Sequence, residues 1–78
     1  MAIIKIDNAA KIDLILLAMG ELDDQLAAEA ILNLPNGTYD VDLDEVHAAF
    51  AEAPDVEDHS AIFVAAELLI FRGDLMIN

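Results

Sequence analysis

Three aspartates at alternate positions, Asp40-x-Asp42-x-Asp44, come nearest to a named chemistry in this chain. Calcium takes about six to eight oxygen ligands, and carboxylates at this spacing let one short loop wrap the ion. The rest of such a loop is missing. Glu45 stands where glycine makes the sharp turn, and Ala51 stands where a bidentate glutamate closes the shell. The same residues read as a strand's polar face followed by a helix N-cap. No metal site is expected.

The two histidines, His47 and His59, lie near Asp44 and Asp58. A zinc site needs roughly three or four converging ligands, so both are expected to be surface or helix-cap side chains. Ser60 is the single serine. Acyl carrier proteins are also small, acidic and helical, and carry a modified serine in an Asp-Ser-Leu motif near mid-chain. Here the string is Asp58-His59-Ser60-Ala61-Ile62, so neither motif nor position is matched. Ser60 or Asp58 reads instead as a helix N-cap. Carboxylate pairs abound, but acid–base work needs a cleft that shifts their pKa values. No nucleophile, oxyanion glycines or phosphate loop accompany them. The chain is not expected to be an enzyme, and no cofactor is expected.

The elements that must position these residues follow from the apolar periodicity. Ala2–Ile6 is short and β-branched and reads as a strand. Asp7 or Asn8 caps a helix to about Met19, with Gly20 as its stop and Ile12, Ile15, Leu16 and Met19 as its apolar face. Leu14 and Leu17 widen that face. Asp23 or Asp24 caps a second helix to about Leu34, with a stripe of Leu26, Ala27, Ala30, Ile31 and Leu34. Pro35-Asn36-Gly37 makes a turn. Thr38–Leu43 alternates, with Tyr39, Val41 and Leu43 on one side and Asp40 and Asp42 on the other. Asp44 caps a third helix carrying Val46, Ala49, Phe50 and Ala53, and Pro54 stops it. Asp55–Asp58 is an acidic connector to a last helix, roughly His59 to Phe71. That helix is apolar nearly all round, which places it at the centre of the fold or in an interface. Gly73 ends it, and Leu75-Met76-Ile77 reads as a closing strand. The expected architecture is a single mainly helical α+β domain over residues 1–78, with about four short helices and two or three short strands.

Of the 78 residues, 58% are hydrophobic, more than so small a domain readily hides. Sixteen acidic residues face Lys5, Lys11 and Arg72, for a net charge of −13. Such a surface repels nucleic acid and anionic membranes and attracts basic surfaces. Low hydrophobicity is a condition for acidic disorder, and this chain violates it. Cysteine is absent, which excludes disulfides and thiolate chemistry. No signal peptide is legible, and the apolar runs Leu14–Met19 and Ala61–Ala66, even with Leu68–Phe71 joined to the second after Glu67, fall short of the ~20 residues of a membrane span. The expected location is cytoplasmic.

Three functional readings follow. The first is a small acidic protein-binding module, an inhibitor or adaptor docking on a basic nucleic-acid-binding protein or complex. Its acidic contact set is Asp40, Asp42, Asp44, Glu45, Asp55, Glu57 and Asp58. The size and charge resemble those of small phage or mobile-element domains such as DNA mimics and CRISPR inhibitors, and of immunity proteins and antitoxins, without a shared motif. The second is a homo-oligomer, in the simplest case a homodimer, with Phe63, Leu69 and Phe71 anchoring an apolar interface on the last helix. The third is that the charge reflects a high-salt environment and no partner at all.

Overall fold

The β-branched run near the N-terminus is strand β1 (Ala2–Ile6) in the computed structural model, which describes residues 1–75. It pairs antiparallel with β2 (Gly37–Val41), in the register Ala2–Val41, Ile4–Tyr39 and Ile6–Gly37. Strand side chains alternate between faces. Ile4, Ile6 and Val41 are therefore buried together, while Ile3, Lys5 and Asp40 point to the outer face.

Between the strands runs a hairpin of two helices, α1 (Asn8–Gly20) and α2 (Gln25–Leu32). The Asp7 carboxylate accepts the Ala10 N–H at 2.8 Å and starts α1. Asp24 accepts the Ala27 N–H at 3.0 Å and starts α2. Such caps satisfy amide groups that no helical carbonyl can reach. After β2 come α3 (Leu43–Glu52), a single 3₁₀ turn (Val56–Asp58) and α4 (Ala61–Arg72). Gly73, at φ 90°, takes the left-handed conformation that stops α4, and the Asp74 N–H donates back to the Leu69 carbonyl. The result is the expected mainly helical α+β fold, with four α-helices and two strands among the described residues.

Helix α4 packs against α1, α2, α3 and β2. Its Val64, Ala65, Ala66 and Leu68 are buried with Leu14, Leu17, Ala18, Ala27, Ile31 and Val46 in one hydrophobic cluster. None of the described polar or charged residues is buried by the same measure.

Several boundaries and faces differ from those expected. The face of α1 read from spacing is turned outward: Ile12, Leu16 and Met19 are 59%, 64% and 46% exposed, and Ile15 is half-buried. Leu14, Leu17 and Ala18 face the core instead. From Leu14 to Met19 every position of α1 is apolar, so periodicity there selects no face, whereas small Ala18 permits close packing. In α2, Leu26 is exposed and Ala28 takes its place in the core. That helix ends at Leu32, and Leu34 is buried in the turn that follows. Strand β2 stops at Val41, and Asp42 rather than Asp44 caps α3, accepting the N–H groups of Asp44 and Glu45 at 3.0 and 3.4 Å. Leu43 is thus helical. The last helix starts at Ala61, not His59, because Val56–Asp58 forms its own 3₁₀ turn. Ser60 occupies its N-cap position without a side-chain hydrogen bond. Leu75 packs against the core, but Met76 and Ile77 of the expected third strand lie outside the described residues.

The orientation of α1 is open to a direct test. Leu17→Ala removes a buried side chain and is expected to lower unfolding free energy by about 3 kcal/mol in urea melts. Leu16→Ala is expected to change it by less than about 0.5 kcal/mol. The reverse ranking would show that the helix presents its other face.

Candidate functional site

The seven acidic residues singled out from sequence fall into two groups at opposite ends of α3. All seven are exposed. Asp40 lies on the outer face of the sheet, opposite Ile3. Asp42 caps α3, and Asp44 and Glu45 occupy its first turn. Acids there are stabilised by the positive end of the helix dipole. Asp55, Glu57 and Asp58 follow the other end of α3. A ten-residue helix such as this one is about 15 Å long. The two groups are therefore separate patches.

The second patch is held by a compact set of contacts. The His59 ring lies over Phe50, with centroids 4.0 Å apart and planes inclined by 32°. Its Nε2 is 2.5 Å from the Ala53 carbonyl. The carbonyl can only accept, so that nitrogen carries the proton. Val56 packs against the core, and the His59 and Asp58 N–H groups donate to the Val56 and Asp55 carbonyls. Asp55 and Glu57 are thus presented on a tied segment.

Across from that segment is the start of α2. A groove of about 340 Å³ is walled by Asp24, Asp55 and Glu57 together with Leu26, Pro54 and Val56. Asp24 belongs to this site, although the acidic contact set read from sequence does not include it. Its nearness to Asp55 depends on the packing of α2 against the 3₁₀ turn, which no local pattern encodes.

At the far end of α3, a second groove of about 260 Å³ is lined by Asp42, Asp44 and Asp74 beside Met1 and Ala2. Asp74 is bound by Arg72, whose Nε donates at 2.7 Å. That is the one ion pair among the described residues. Both side chains are substantially exposed, so the pair adds little to stability. Lys5 is exposed on the outer sheet face. Among the described residues, no three carboxylates or histidines converge so as to hold a metal ion. Asp40, Asp42 and Asp44 are divided instead between a strand, a cap and a helix.

The apolar anchors read from sequence are also divided. Phe63 and Leu69 are half-buried against the chain's own core, whereas Phe71 is 59% exposed. A row formed by Ile12, Leu16 and Met19 on α1 is exposed as well. No helix among the described residues is long and apolar enough to cross a membrane.

No family model, curated protein or solved structure matches this chain. The site's chemistry must therefore be argued from its own residues.

His59→Ala removes both the hydrogen bond and the ring contact. Expected is a loss of about 2 kcal/mol in stability, with faster amide exchange at Asp58 and at position 59. Unchanged exchange there would show that the segment is held by Val56 alone.

Proposed function

We propose that this chain is a small acidic protein-binding module, an inhibitor or adaptor that docks on a basic nucleic-acid-binding protein or complex in the cytoplasm. The observation that supports this reading is uncompensated charge. Every acidic residue except Asp24 and Glu67 is exposed, and among the described residues only Asp74 is in an ion pair. Carboxylates held on a rigid domain can occupy sites that otherwise contact phosphates. Their long-range field speeds encounter with a cationic surface. Two patches at the ends of α3 let such a partner be gripped at two points.

The tagged protein is expected to retain one basic complex from a host lysate at low salt and to release it as ionic strength rises, because screening shortens the reach of exposed charges. Neutralising Asp55, Glu57 and Asp58 together is expected to weaken capture about tenfold. Neutralising Asp40, Asp44 and Glu45 together is expected to do the same. Capture that ignores both sets would remove the electrostatic reading. Unfolding on transfer to low salt would instead favour charge as an adaptation to salt.

The exposed row on α1 supports a second reading, self-association through an apolar face that includes Ile12, Leu16 and Met19. The two readings differ in the sign of their salt dependence. Two copies each at −13 repel, so a homodimer tightens as salt screens that repulsion, while a complex with a basic partner loosens. Light scattering across a salt series is expected to show a monomer at low salt. A dimer that strengthens with salt and is lost in Leu16→Lys would establish the second reading.

A further inference from the structure

Glu67 interrupts the apolar run of α4, and its setting differs from that of every other acid. Besides Asp24, it is the one acidic residue that is partly buried and not exposed. Its Oε2 is closed off from solvent and has no hydrogen-bond partner among the described residues. A carboxylate oxygen left in this way is unfavourable, because water's hydrogen bonds are lost and nothing replaces them. Glu67 lines an open cleft of about 290 Å³ whose other walls include Leu22, Phe50, Val56, Val64 and Leu68. Apolar walls with one polar group that fixes orientation are the usual form of a small-ligand site.

This cleft adjoins the acidic groove described above. Asp24, Pro54 and Val56 contribute to the walls of both. A cation attracted by Asp24, Asp55 and Glu57 therefore meets an apolar slot with a carboxylate in its wall.

We propose that the Glu67 cleft is a socket for an aliphatic-stemmed cation, the side chain of one lysine or arginine on the basic partner. The inference rests on the partner reading for the source of that side chain, and on the cleft's own chemistry for everything else. Long basic side chains lay their methylene stems on apolar surface while the charged head seeks polar groups. Here the stem lies against Val56, Val64 and Leu68. The Glu67 carboxylate turns about its last torsion to bring an oxygen to the cleft, and the head donates to it through charge-assisted hydrogen bonds. An uncharged apolar side chain leaves that carboxylate unsatisfied, and a bare cation leaves the apolar walls uncovered.

The test is an NMR titration of the intact protein at low salt with n-butylguanidinium, which carries stem and charge. Guanidinium carries the charge alone, and n-butanol the stem alone. Expected are saturable shifts of the methyl and amide signals of Leu22, Val56, Val64 and Leu68, with half-saturation at least tenfold lower than for either control. Glu67→Gln is expected to weaken the binding at least tenfold. Glu67→Leu is expected to abolish it while raising the melting midpoint by about 5 °C, since an apolar side chain fits these walls without an unpaired carboxylate. That rise separates loss of the socket from loss of the fold. Shifts spread equally over Asp40 to Glu45, a guanidinium titration as tight as that of butylguanidinium, unchanged binding in Glu67→Gln, or no saturable shift would each overturn the proposal. The probe requires no partner, so this titration can fail while salt-sensitive capture persists, and capture can fail while the titration succeeds.

Discussion

The structure depends on one helix being enclosed by the rest. Helix α4 touches α1, α2, α3 and β2, and it can do so because its middle is small. Ala65 and Ala66 have no accessible surface, with Val64 and Leu68 beside them. Alanines let neighbouring backbones approach on two sides, while the branched side chains fill the remaining space at the density that interiors require. A helix enclosed in this way needs no polar face, and α4 carries only Glu67 and the terminal Arg72 as charged residues. Four of the other elements are arranged to cover it. The hairpin of α1 and α2 covers one flank, α3 another, and β2 closes against it while pairing with β1.

That constraint explains which parts of the fold were legible in sequence. The near-uniform apolarity of α4 pointed to a helix either central in the fold or in an interface, and of the cap candidates Asp7 or Asn8 and Asp23 or Asp24 the structure uses Asp7 and Asp24. The failures share a cause. In α1 the residues Ile12 and Leu16 are as apolar as Leu14 and Leu17, so the chain's local pattern is degenerate. The choice of face is made by Ala18 and by the shape of the enclosed helix. At the end of β2, strand alternation and helix capping both use aspartates. Asp42 satisfied the strand pattern as well as it satisfied the cap. Only the loss of a partner for β1 beyond Ala2 and Val41, with two amides waiting for an acceptor, decides between them.

The acidic shell was legible as composition and illegible as geometry. None of the described ionisable residues is fully buried, and Glu67 alone leaves a carboxylate oxygen both buried and unpaired, so the net charge of −13 is carried almost wholly on a small surface. Such a shell opposes compaction by self-repulsion. Placing Asp42, Asp44 and Glu45 at the start of α3 offsets part of that cost, because the helix end there is partly positive. The two patches flank α3 for a local reason, but their separation is set by helix length, and the pairing of Asp24 with Asp55 is set by tertiary packing. Chain proximity grouped Asp55 with Glu57 and Asp58 and had no means of including Asp24.

The acids therefore divide into those the fold uses and those it does not. Asp7, Asp24 and Asp42 accept backbone amides, and Asp74 answers Arg72. Removing their charge alters the domain as well as its surface. Asp40, Asp44, Glu45, Glu57 and Asp58 make no side-chain hydrogen bond to the described chain, and of these only Asp44 and Glu45 act on a helix, through its dipole. A protein needing acids only for capping has no use for this second set. A protein needing only solubility would balance such acids with lysines, as mixed surfaces do. Asp13, Glu21, Asp23, Glu29 and Glu52 are exposed as well and spread over the rest of the surface, but the acids at the two ends of α3 border grooves that neither Lys5 nor Lys11 lines. Glu67 differs in kind from both sets. It caps nothing and is not freely solvated, and its unpaired oxygen is a local conflict in a core otherwise consistent at every level. Such conflicts are expected where a site is waiting for something to complete it.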